Sequence, residues 1–271
     1  MNKNYLLFDI GATNTRLATS RIGKKLDATV IVKTPKKFAD GMKLISVTAK
    51  KLCGGRITGA AGGIAGSLDL KKEKVYVAPN LPAWNGMPLK KELQKIVAGK
   101  IMLENDNTMV GLGEARLGAG RGYSIVVYYT FSTGINGIKI VDGKFVPSAM
   151  GVEAGHQLIG KETLFDAVSG TRLAKKYGKP AHDIRSRKVW RDVAKKISLG
   201  LYNSTLHWSP EVIVLGGGIM NSVSLSDVER NLKNSLKILP AIPKIKKAAL
   251  GDLGGLYGAL EVLKDLSRTK S

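Results

Sequence analysis

The feature that most constrains how this chain can fold is a unit that occurs twice: a strand, a glycine-rich turn and a second strand. The first copy, residues 5–32, contains YLLFDIGATNTRLATS and LDATVIV, and the second, residues 125–146, contains IVVYYTFSTG, INGIKIV and KFV. Aligning Asp9 with Thr130 separates the copies by 121 residues. Asp142-Gly143, between two strand patterns of the second copy, is a strong hairpin signal. The repeat predicts an internal duplication.

Helical patterns alternate with short buried strands in the rest of the sequence. Apolar residues recur at helical spacing in the segments 41–52, 88–97, 108–117, 164–177, 189–208 and 256–266. The segment 101–104, Ile-Met-Leu-Glu, and the apolar run 212–215 are typical of short buried strands. This alternation predicts an α/β protein with ligands at the carboxyl ends of the strands. We expect two lobes with a cleft between them and a last helix that returns to the first lobe.

Length and composition narrow the class of protein. With 271 residues, 44% of them hydrophobic, the chain is long enough for one large domain or two small ones. The single cysteine, Cys53, excludes an internal disulfide and a multi-cysteine zinc site. No apolar run approaches the ~20 residues that span a bilayer, and the N-terminus lacks the long apolar segment of a secretion signal. We therefore expect a cytoplasmic protein with no membrane partner.

A formal net charge of +22 is the unusual bulk property of the sequence, and it raises the hypothesis of nucleic-acid binding. The charge is spread over the chain in lysine doublets, however, and only residues 185–196 form a dense basic segment. That segment has an apolar side that includes Val189, Trp190 and Val193, as a surface helix would. A solvated lysine-rich surface is the favoured interpretation, and no nucleic-acid partner is expected.

Three glycine-rich turns follow predicted strands and point to a nucleotide. They are DIGATNTR at 9–16, TFSTGING at 130–137 and the glycines of VLGGGI at 214–219. Glycine lets backbone amides approach phosphate oxygens, and hydroxyls add donors. Asp9, at the end of its strand, is suited to hold a hydrated Mg²⁺. Each turn alone could be an ordinary tight turn, but the three in this order predict two phosphate turns and a glycine surface for adenine or ribose.

Two polar clusters are candidates for binding and activating an alcohol. Glu104-Asn105-Asp106 ends a predicted strand, and a kinase of small alcohols needs a carboxylate that orients the attacking hydroxyl and takes its proton. Asp106 could also cap the following helix, and the two roles are compatible. In the second cluster, Glu153 and His156 are suited to hydrogen bonding of vicinal hydroxyls. The other two histidines, His182 and His207, are interpreted as structural.

These blocks together resemble the ROK (repressor, ORF, kinase) family of sugar kinases. The resemblance covers nearly the whole chain and is carried, in the order of the family, by DIGATNTR, GIAGSLD, APNLPAW, ENDN, GLGEARLGAGRG, TFSTGING, GVEAGH, SGTRLAKKYG, VLGGGI and LGDLGGLYGAL. It implies a two-lobed actin-like ATPase (ribonuclease H-like) fold with duplicated βββαβαβα units and a cleft between the lobes. Residues 1–107 with a helix at about 256–271 would form a sugar-side lobe, and residues 108–255 a nucleotide-binding lobe.

The resemblance also implies a role for individual residues. Asp106 would be the catalytic base. Sugar hydroxyls would be bound by Asn80, Asn105, Glu153 and His156, with the loop glycine Gly66 close by. Asp9 would hold Mg²⁺ through a water molecule. The nucleotide would be bound by Gly11, Thr13, Asn14, Thr133 and Gly134 at the phosphates and by Gly217 and Gly218 at the nucleoside.

The sequence departs from the family pattern in two places. Most members carry a cysteine-rich zinc motif after the Glu-x-Gly-His block, but residues 157–163 contain no cysteine, so no zinc is expected. The glutamate that usually completes the sugar site is replaced by Phe165, with Asp166 beside it, so the sugar site departs from the family pattern at this position. Repressor members have an additional N-terminal DNA-binding domain. This sequence starts at the first phosphate strand, which disfavours a repressor.

The sequence therefore predicts an ATP- and Mg²⁺-dependent kinase of a hexose hydroxyl (EC 2.7.1.-), with glucose as the default substrate and a place in carbohydrate metabolism and glycolysis. A second hypothesis keeps the fold but takes inorganic polyphosphate, a polyanion that a basic surface would attract, as the donor. A third is a catalytically silent sugar- or nucleic-acid-binding relative, and retention of Asp106 with both phosphate turns counts against it. The expected partners are a small sugar and a nucleotide, and a homodimer is compatible with the sequence.

Overall fold

The computed structural model of the protein describes residues 4–268, in which strands and helices alternate. Within these residues the strands are β1 (Asn4–Ile10), β2 (Asn14–Ser20), β3 (Ala28–Lys33), β4 (Ile57–Ile64), β5 (Ser67–Leu68), β6 (Val75–Val77), β7 (Ile101–Asn105), β8 (Ile125–Phe131), β9 (Ile135–Val141), β10 (Lys144–Phe145), β11 (Val212–Gly216) and β12 (Lys244–Lys247). The α-helices are α1 (Phe38–Cys53), α2 (Leu89–Gln94), α3 (Asp106–Arg116), α4 (Leu164–Val168), α5 (Gly170–Tyr177), α6 (Arg187–Trp208), α7 (Leu225–Ser235) and α8 (Gly254–Arg268).

The strands build two five-stranded sheets with the same order, β3-β2-β1-β4-β7 and β10-β9-β8-β11-β12. In both sheets three antiparallel strands are followed by two that run parallel to the first. β1 and β8 begin at Asn4 and Ile125, and β2 and β9 begin at Asn14 and Ile135, so each pair is 121 residues apart. The duplication and the βββαβαβα order predicted from the sequence are both present.

The chain divides into two compact units, one of residues 4–113 with 252–268 and the other of residues 114–251. Each unit has its own hydrophobic core, which includes Phe8 and Trp84 in the first and Phe131 and Leu215 in the second. The last helix lies in the first unit, where α8 packs on β1, β2 and β4. The cleft between the lobes and their division into a sugar side and a nucleotide side stay predictions.

The prediction of a single helix over residues 164–177 is wrong, because the structure has two helices in this segment. Ser169 has φ −65° and ψ 150°, which is extended backbone, so it ends α4 and begins α5. Its hydroxyl accepts a 3.3 Å hydrogen bond from the backbone N–H of Arg172, as an N-cap residue does. Buried apolar residues lie on both sides of the break, Val168 before it and Leu173 after it, which is why the apolar pattern alone predicted a single helix.

No helix in the described part of the chain is long and apolar enough to cross a bilayer.

Candidate functional site

In the first unit, a tight turn joins the buried strand β1 to β2. The backbone N–H of Gly11 donates to the carbonyl of Asn14 at 3.0 Å, and the N–H of Thr34 donates to the carbonyl of Thr13 at 2.9 Å. The Thr34 hydroxyl donates to the Gly11 carbonyl at 2.7 Å. These bonds fix the turn, so its residues have a defined backbone for the binding role that the sequence predicts.

Asp9 is the last polar residue of β1 and is only 8% exposed. Its Oδ2 lies 3.4 Å from Nη1 of Arg16, whose Nη2 is 3.8 Å from Oδ1 of Asp252. Burial, with the carboxylate of Asp106 as the second cause, raises the pKa of Asp9 to about 7, while Arg16 opposes the shift. The carboxylates of Asp106 and Asp252 both raise the pKa of Asp9, so a cation bound beside Asp9 would offset their repulsion.

Asp9 and Asp106 come to the same edge of the sheet because β1, β4 and β7 are neighbouring parallel strands. Asp106 directly follows β7 and is half-buried. A Cβ atom on Gly63 of β4 would lie 2.7 Å from Cα of Asp106, so only glycine permits this close packing. The sequence predicted both carboxylates at strand ends, and the order of the strands makes them neighbours.

Asp106 is the first residue of α3, and the capping role is shared with Asn105. The backbone N–H of Asn107 donates to Oδ1 of Asp106 at 2.8 Å and to Oδ1 of Asn105 at 3.0 Å. Asn105 Nδ2 also donates to the carbonyl of Gly66 at 3.0 Å, which ties the predicted sugar loop to the end of β7. Asn80 lies exposed in the turn after β6.

Lys72 is a candidate residue that the sequence analysis did not single out. It lies in the turn between β5 and β6 with a left-handed φ of 53°, and its ammonium group pairs with the carboxylate of Glu104, the residue before Asn105. Asp69 closes this turn by accepting hydrogen bonds from the N–H groups of Glu73 at 2.6 Å and Lys74 at 2.8 Å. The sequence carries no signal for this pair, since Lys72 belongs to one of many lysine doublets.

In the second unit, the turn between β8 and β9 contains the predicted phosphate-binding residues. The N–H of Ser132 donates to the carbonyl of Gly134 at 2.8 Å, which closes the turn. Thr133 is exposed, and a Cβ atom on Gly134 would meet no atom within 4 Å, so the space beside this glycine is open. Gly217 and Gly218 follow β11, and the space beside Gly218 is equally open.

Glu153 directly precedes a short 3₁₀ helix (Ala154–His156) that packs against β9, and His156 is the last residue of this helix. Asn136 Nδ2 donates to the carbonyl of Val152 at 2.9 Å. A Cβ atom on Gly155 would lie 2.0 Å from the carbonyl oxygen of Ile135, so the helix contacts the strand backbone directly. Desolvation raises the pKa of Glu153 above its ordinary value, and the nearby His156 opposes this shift.

The residues of the first unit suit the Mg²⁺ and phosphate that the sequence predicts. Mg²⁺ is usually held by one or two carboxylates plus substrate phosphates, not by a complete protein cage. Asp9 could be one such carboxylate. Among residues 4–268 no three His, Cys, Asp or Glu side chains form a metal-ligating cluster. Nε of Arg16 and both polar side-chain atoms of Asn107 are buried without a hydrogen-bond partner, which also fits a polar ligand nearby.

The predicted site residues thus fall into two sets, each described within its own unit. The first unit contains Asp9, Gly11, Thr13, Asn14, Gly66, Asn80, Asn105 and Asp106. The second unit contains Thr133, Gly134, Glu153, His156, Gly217 and Gly218.

Solved structures with the same arrangement of elements define the class of protein. A ROK hexokinase from Thermus thermophilus is 24% identical with a TM-score of 0.83, and the match covers 99% of this chain and 100% of that chain. A ROK family glucokinase from Streptomyces griseus, solved with glucose and AMPPNP, is 21% identical with a TM-score of 0.78 and coverage of 97% and 99%. The protein is therefore an α/β protein with the actin-like ATPase fold.

Sequence comparisons give the family. The ROK family model matches residues 5–266, and the chain belongs to the ROK family. A glucokinase of Thermotoga maritima is 32% identical over 158 residues, which are 56% of this chain and 49% of that protein. An N-acetyl-D-glucosamine kinase of Escherichia coli is 25% identical over 298 residues, with coverage of 94% and 97%. Both of these relatives are sugar kinases.

Proposed function

We propose that this protein is a sugar kinase that transfers the terminal phosphoryl group of ATP to a hydroxyl of glucose or a related hexose. Asp106 acts as the base. Membership of the ROK family and the two sugar-kinase relatives support the reaction type. The observation that carries the proposal is the pair of carboxylates, Asp9 and Asp106, at one edge of the first sheet, where burial and then the charge of Asp106 raise the pKa of Asp9.

The two carboxylates differ in environment, which suits them to different tasks. Asp9 is buried beside Arg16, whereas Asp106 is half-buried at the start of α3. Asp106 orients the sugar hydroxyl and accepts its proton as the hydroxyl oxygen forms a bond to the terminal phosphorus of ATP. The bond from that phosphorus to the bridging oxygen breaks at the same time, and ADP leaves with the electron pair.

The other site residues bind and orient the substrates. Asn105, held by Gly66, presents its amide to the sugar, and Glu153 and His156 hydrogen-bond neighbouring hydroxyls, with Asn80 as a further donor. The two turns supply backbone N–H groups and hydroxyls to the phosphates through Gly11, Thr13, Asn14, Thr133 and Gly134. Gly217 and Gly218 leave bare backbone for the nucleoside. Mg²⁺, when bound, neutralises charge on the phosphates, and Asp9 would hold it directly or through water.

The proposal is tested by a matrix of hexoses against phosphoryl donors. Glucose, mannose, N-acetylglucosamine and N-acetylmannosamine are each incubated with ATP, GTP or polyphosphate, and sugar phosphate is measured. We expect ATP-dependent phosphorylation of at least one hexose, and at least ~10² less product from Asp106→Asn at the same enzyme concentration on the same time scale. Wild-type protein that binds ATP but phosphorylates no sugar would reject the proposal.

Polyphosphate is the second candidate donor because the chain carries a net charge of +22. A linear polyanion can contact several lysines at once and release counterions from each phosphate. The dependence of activity on salt separates the two donors.

A further inference from the structure

The imidazole ring of His156 stacks on the ring of Phe165. The ring centroids are 5.4 Å apart and the ring planes differ by 20°. His156 is otherwise exposed, since its own short 3₁₀ helix covers little of the ring. Phe165, the second residue of α4, is the aromatic side chain that packs on this ring. An exposed histidine without such a contact would sample several rotamers.

Phe165 also contacts a cation. The guanidinium carbon of Arg172 lies 5.8 Å from the centroid of the Phe165 ring, within the range of a cation–π interaction. Nη2 of Arg172 lies 2.6 Å from Oδ1 of Asp166. The second carboxylate oxygen of Asp166 accepts a 2.7 Å hydrogen bond from the hydroxyl of Thr163, the N-cap residue of α4.

These contacts form one chain from the cap of α4 to the imidazole. The hydrogen bond from Thr163, with the charge of Arg172 as a further cause, holds the pKa of Asp166 below its usual range. Asp166 is therefore ionised at neutral pH and keeps Arg172 over the Phe165 ring. Phe165 and Asp166 are consecutive residues of α4, so the same short helix carries the ring and the carboxylate that pairs with Arg172.

Arg172 also belongs to the helix that contacts the second phosphate turn. The N–H of Gly170, the first residue of α5, donates to the carbonyl of Ser132 at 2.8 Å. The hydroxyl of Thr171 donates to the carbonyl of Thr133 at 2.9 Å. The first turn of α5 thus connects the Ser132–Thr133 turn to the stack on His156.

We propose that Phe165 and Arg172 are positioning residues that hold the imidazole of His156 in the orientation in which it binds a sugar hydroxyl. This inference rests on the proposed function, because it takes His156 as a ligand of the sugar. Neither residue touches the reacting atoms. Their proposed effect on the sugar passes through His156, which gives the proposal a specific signature.

The test begins with Phe165→Leu and Arg172→Met, which remove the stacked ring and the cation while keeping an apolar side chain. Aromatic and cation–π contacts of this kind are modest, so we expect KM for the sugar to rise about threefold to tenfold for Phe165→Leu and less for Arg172→Met. The value of kcat should change less than about twofold, because a binding contact made in ground and transition states alike changes KM alone. Phe165→Tyr, which keeps the ring, should restore the wild-type KM.

Arg230→Met is the matched control. Arg230 forms an ion pair with Asp227 on α7 in the same unit, as Arg172 does with Asp166, and it stands over no aromatic ring among the described contacts. Breaking this pair removes the same kind of charge from an exposed site. The KM for the sugar should stay at its wild-type value.

A double-mutant cycle with His156→Ala decides whether the effect passes through His156. If it does, Phe165→Leu should raise KM in the wild-type background and leave it unchanged in the His156→Ala background. Histidine NMR adds a readout without substrate: the Cε1–H resonance of His156, assigned by its loss in His156→Ala, should move in Phe165→Leu and stay in place in Arg230→Met.

The outcomes separate the two proposals. If the wild-type protein phosphorylates no sugar, the proposed function and the positioning role are both rejected. The positioning role is rejected if the enzyme is active but Phe165→Leu keeps the wild-type KM for the sugar. It is also rejected if Phe165→Leu raises KM as much in the His156→Ala background as in the wild type. Both outcomes leave the proposed function unaffected.

Discussion

Glu114 and Leu250 lie 136 residues apart in the sequence and are joined by a 2.8 Å hydrogen bond from the backbone N–H of Leu250 to Oε1 of Glu114. The same oxygen accepts from the N–H of Ala249 at 2.9 Å, and Oε2 accepts from the N–H of Ala119 at 2.9 Å. Glu114 is only 1% exposed. One buried carboxylate therefore satisfies three backbone donors from two distant segments.

Replacing Glu114 should destabilise the protein strongly. Hydrogen bonds to a charged group contribute roughly 1.5–3 kcal/mol each, and a buried donor left without a partner adds a penalty. We expect Glu114→Ala to lower the free energy of unfolding by about 3 kcal/mol or more, measured by urea titration. Glu229→Ala, at an exposed position of α7, is the control and should change it by less than about 0.5 kcal/mol. Equal stability of the two variants would mean that the three donors find other partners.

Asp106→Asn should separate catalysis from folding. The amide oxygen of asparagine can still accept the hydrogen bond that the N–H of Asn107 donates to Oδ1, so the start of α3 keeps its cap. A general base contributes at least ~10² in rate, and we expect turnover to fall by at least that factor while nucleotide affinity is kept. Steady-state kinetics and ATP titration measure the two quantities. Asp183→Asn, an exposed carboxyl in the second unit, should have wild-type turnover. Near-normal turnover of Asp106→Asn would remove this residue from the mechanism.

The buried carboxyl of Asp9 should make stability depend on pH. Its pKa is raised from 3.8 to about 7 in the folded protein, so the folded state binds a proton more tightly than the unfolded state does. The favourable contribution is complete below about pH 4 and is lost as the pH rises towards 7. In protein stripped of divalent metal, we expect the difference in Tm between Asp9→Asn and the wild type to grow in favour of the variant across this range. A difference that stays constant from pH 4 to pH 8 would contradict the raised pKa.

The response to salt should show what the positive surface does. If the lysine doublets are only solvated, kcat/KM with ATP should depend weakly on ionic strength, because backbone amides and hydroxyls of the two turns bind the phosphates. With polyphosphate as the true donor, kcat/KM should fall steeply as salt is raised, since each lysine contact releases counterions. Screening acts over ~8 Å at physiological salt, so scattered charges cannot produce that slope from a distance. We expect the flat response, with ATP preferred over long-chain polyphosphate at every salt concentration.

The sequence predicts the sheets well because their signals are local. The 121-residue repeat places β1 and β8 correctly, and Asp142-Gly143 forms the expected turn, with φ values of 49° and 64°. Glycine-rich turns and strands can be recognised from residues that are adjacent in the sequence. The strand ends that carry Asp9 and Asp106 can be recognised in the same way.

The features that the sequence did not yield depend on partners far along the chain. In the sequence, Lys72 is one lysine of a doublet, and only the fold places it beside Glu104. Glu114 has the sequence context of an ordinary surface residue of a helix, but in the structure it accepts hydrogen bonds from the backbone of residues 249 and 250. The stack of His156 on Phe165 has the same origin, because ring planes are set by tertiary packing. The break at Ser169 was not predicted for a different reason. The pattern of apolar residues does not reveal an N-cap residue between two short helices.

The return of α8 to the first unit has a consequence for the order of folding during synthesis. A Cβ atom on Gly255 would lie 3.0 Å from Cγ of Asp9, and one on Gly258 would lie 1.8 Å from the carbonyl oxygen of Met109, so the last helix packs closely on elements made at the beginning. During synthesis, more than two hundred residues are therefore translated after β1 before α8, which packs against it, is made. The second unit needs no such late segment, so the half of the protein that is synthesised second can finish folding first.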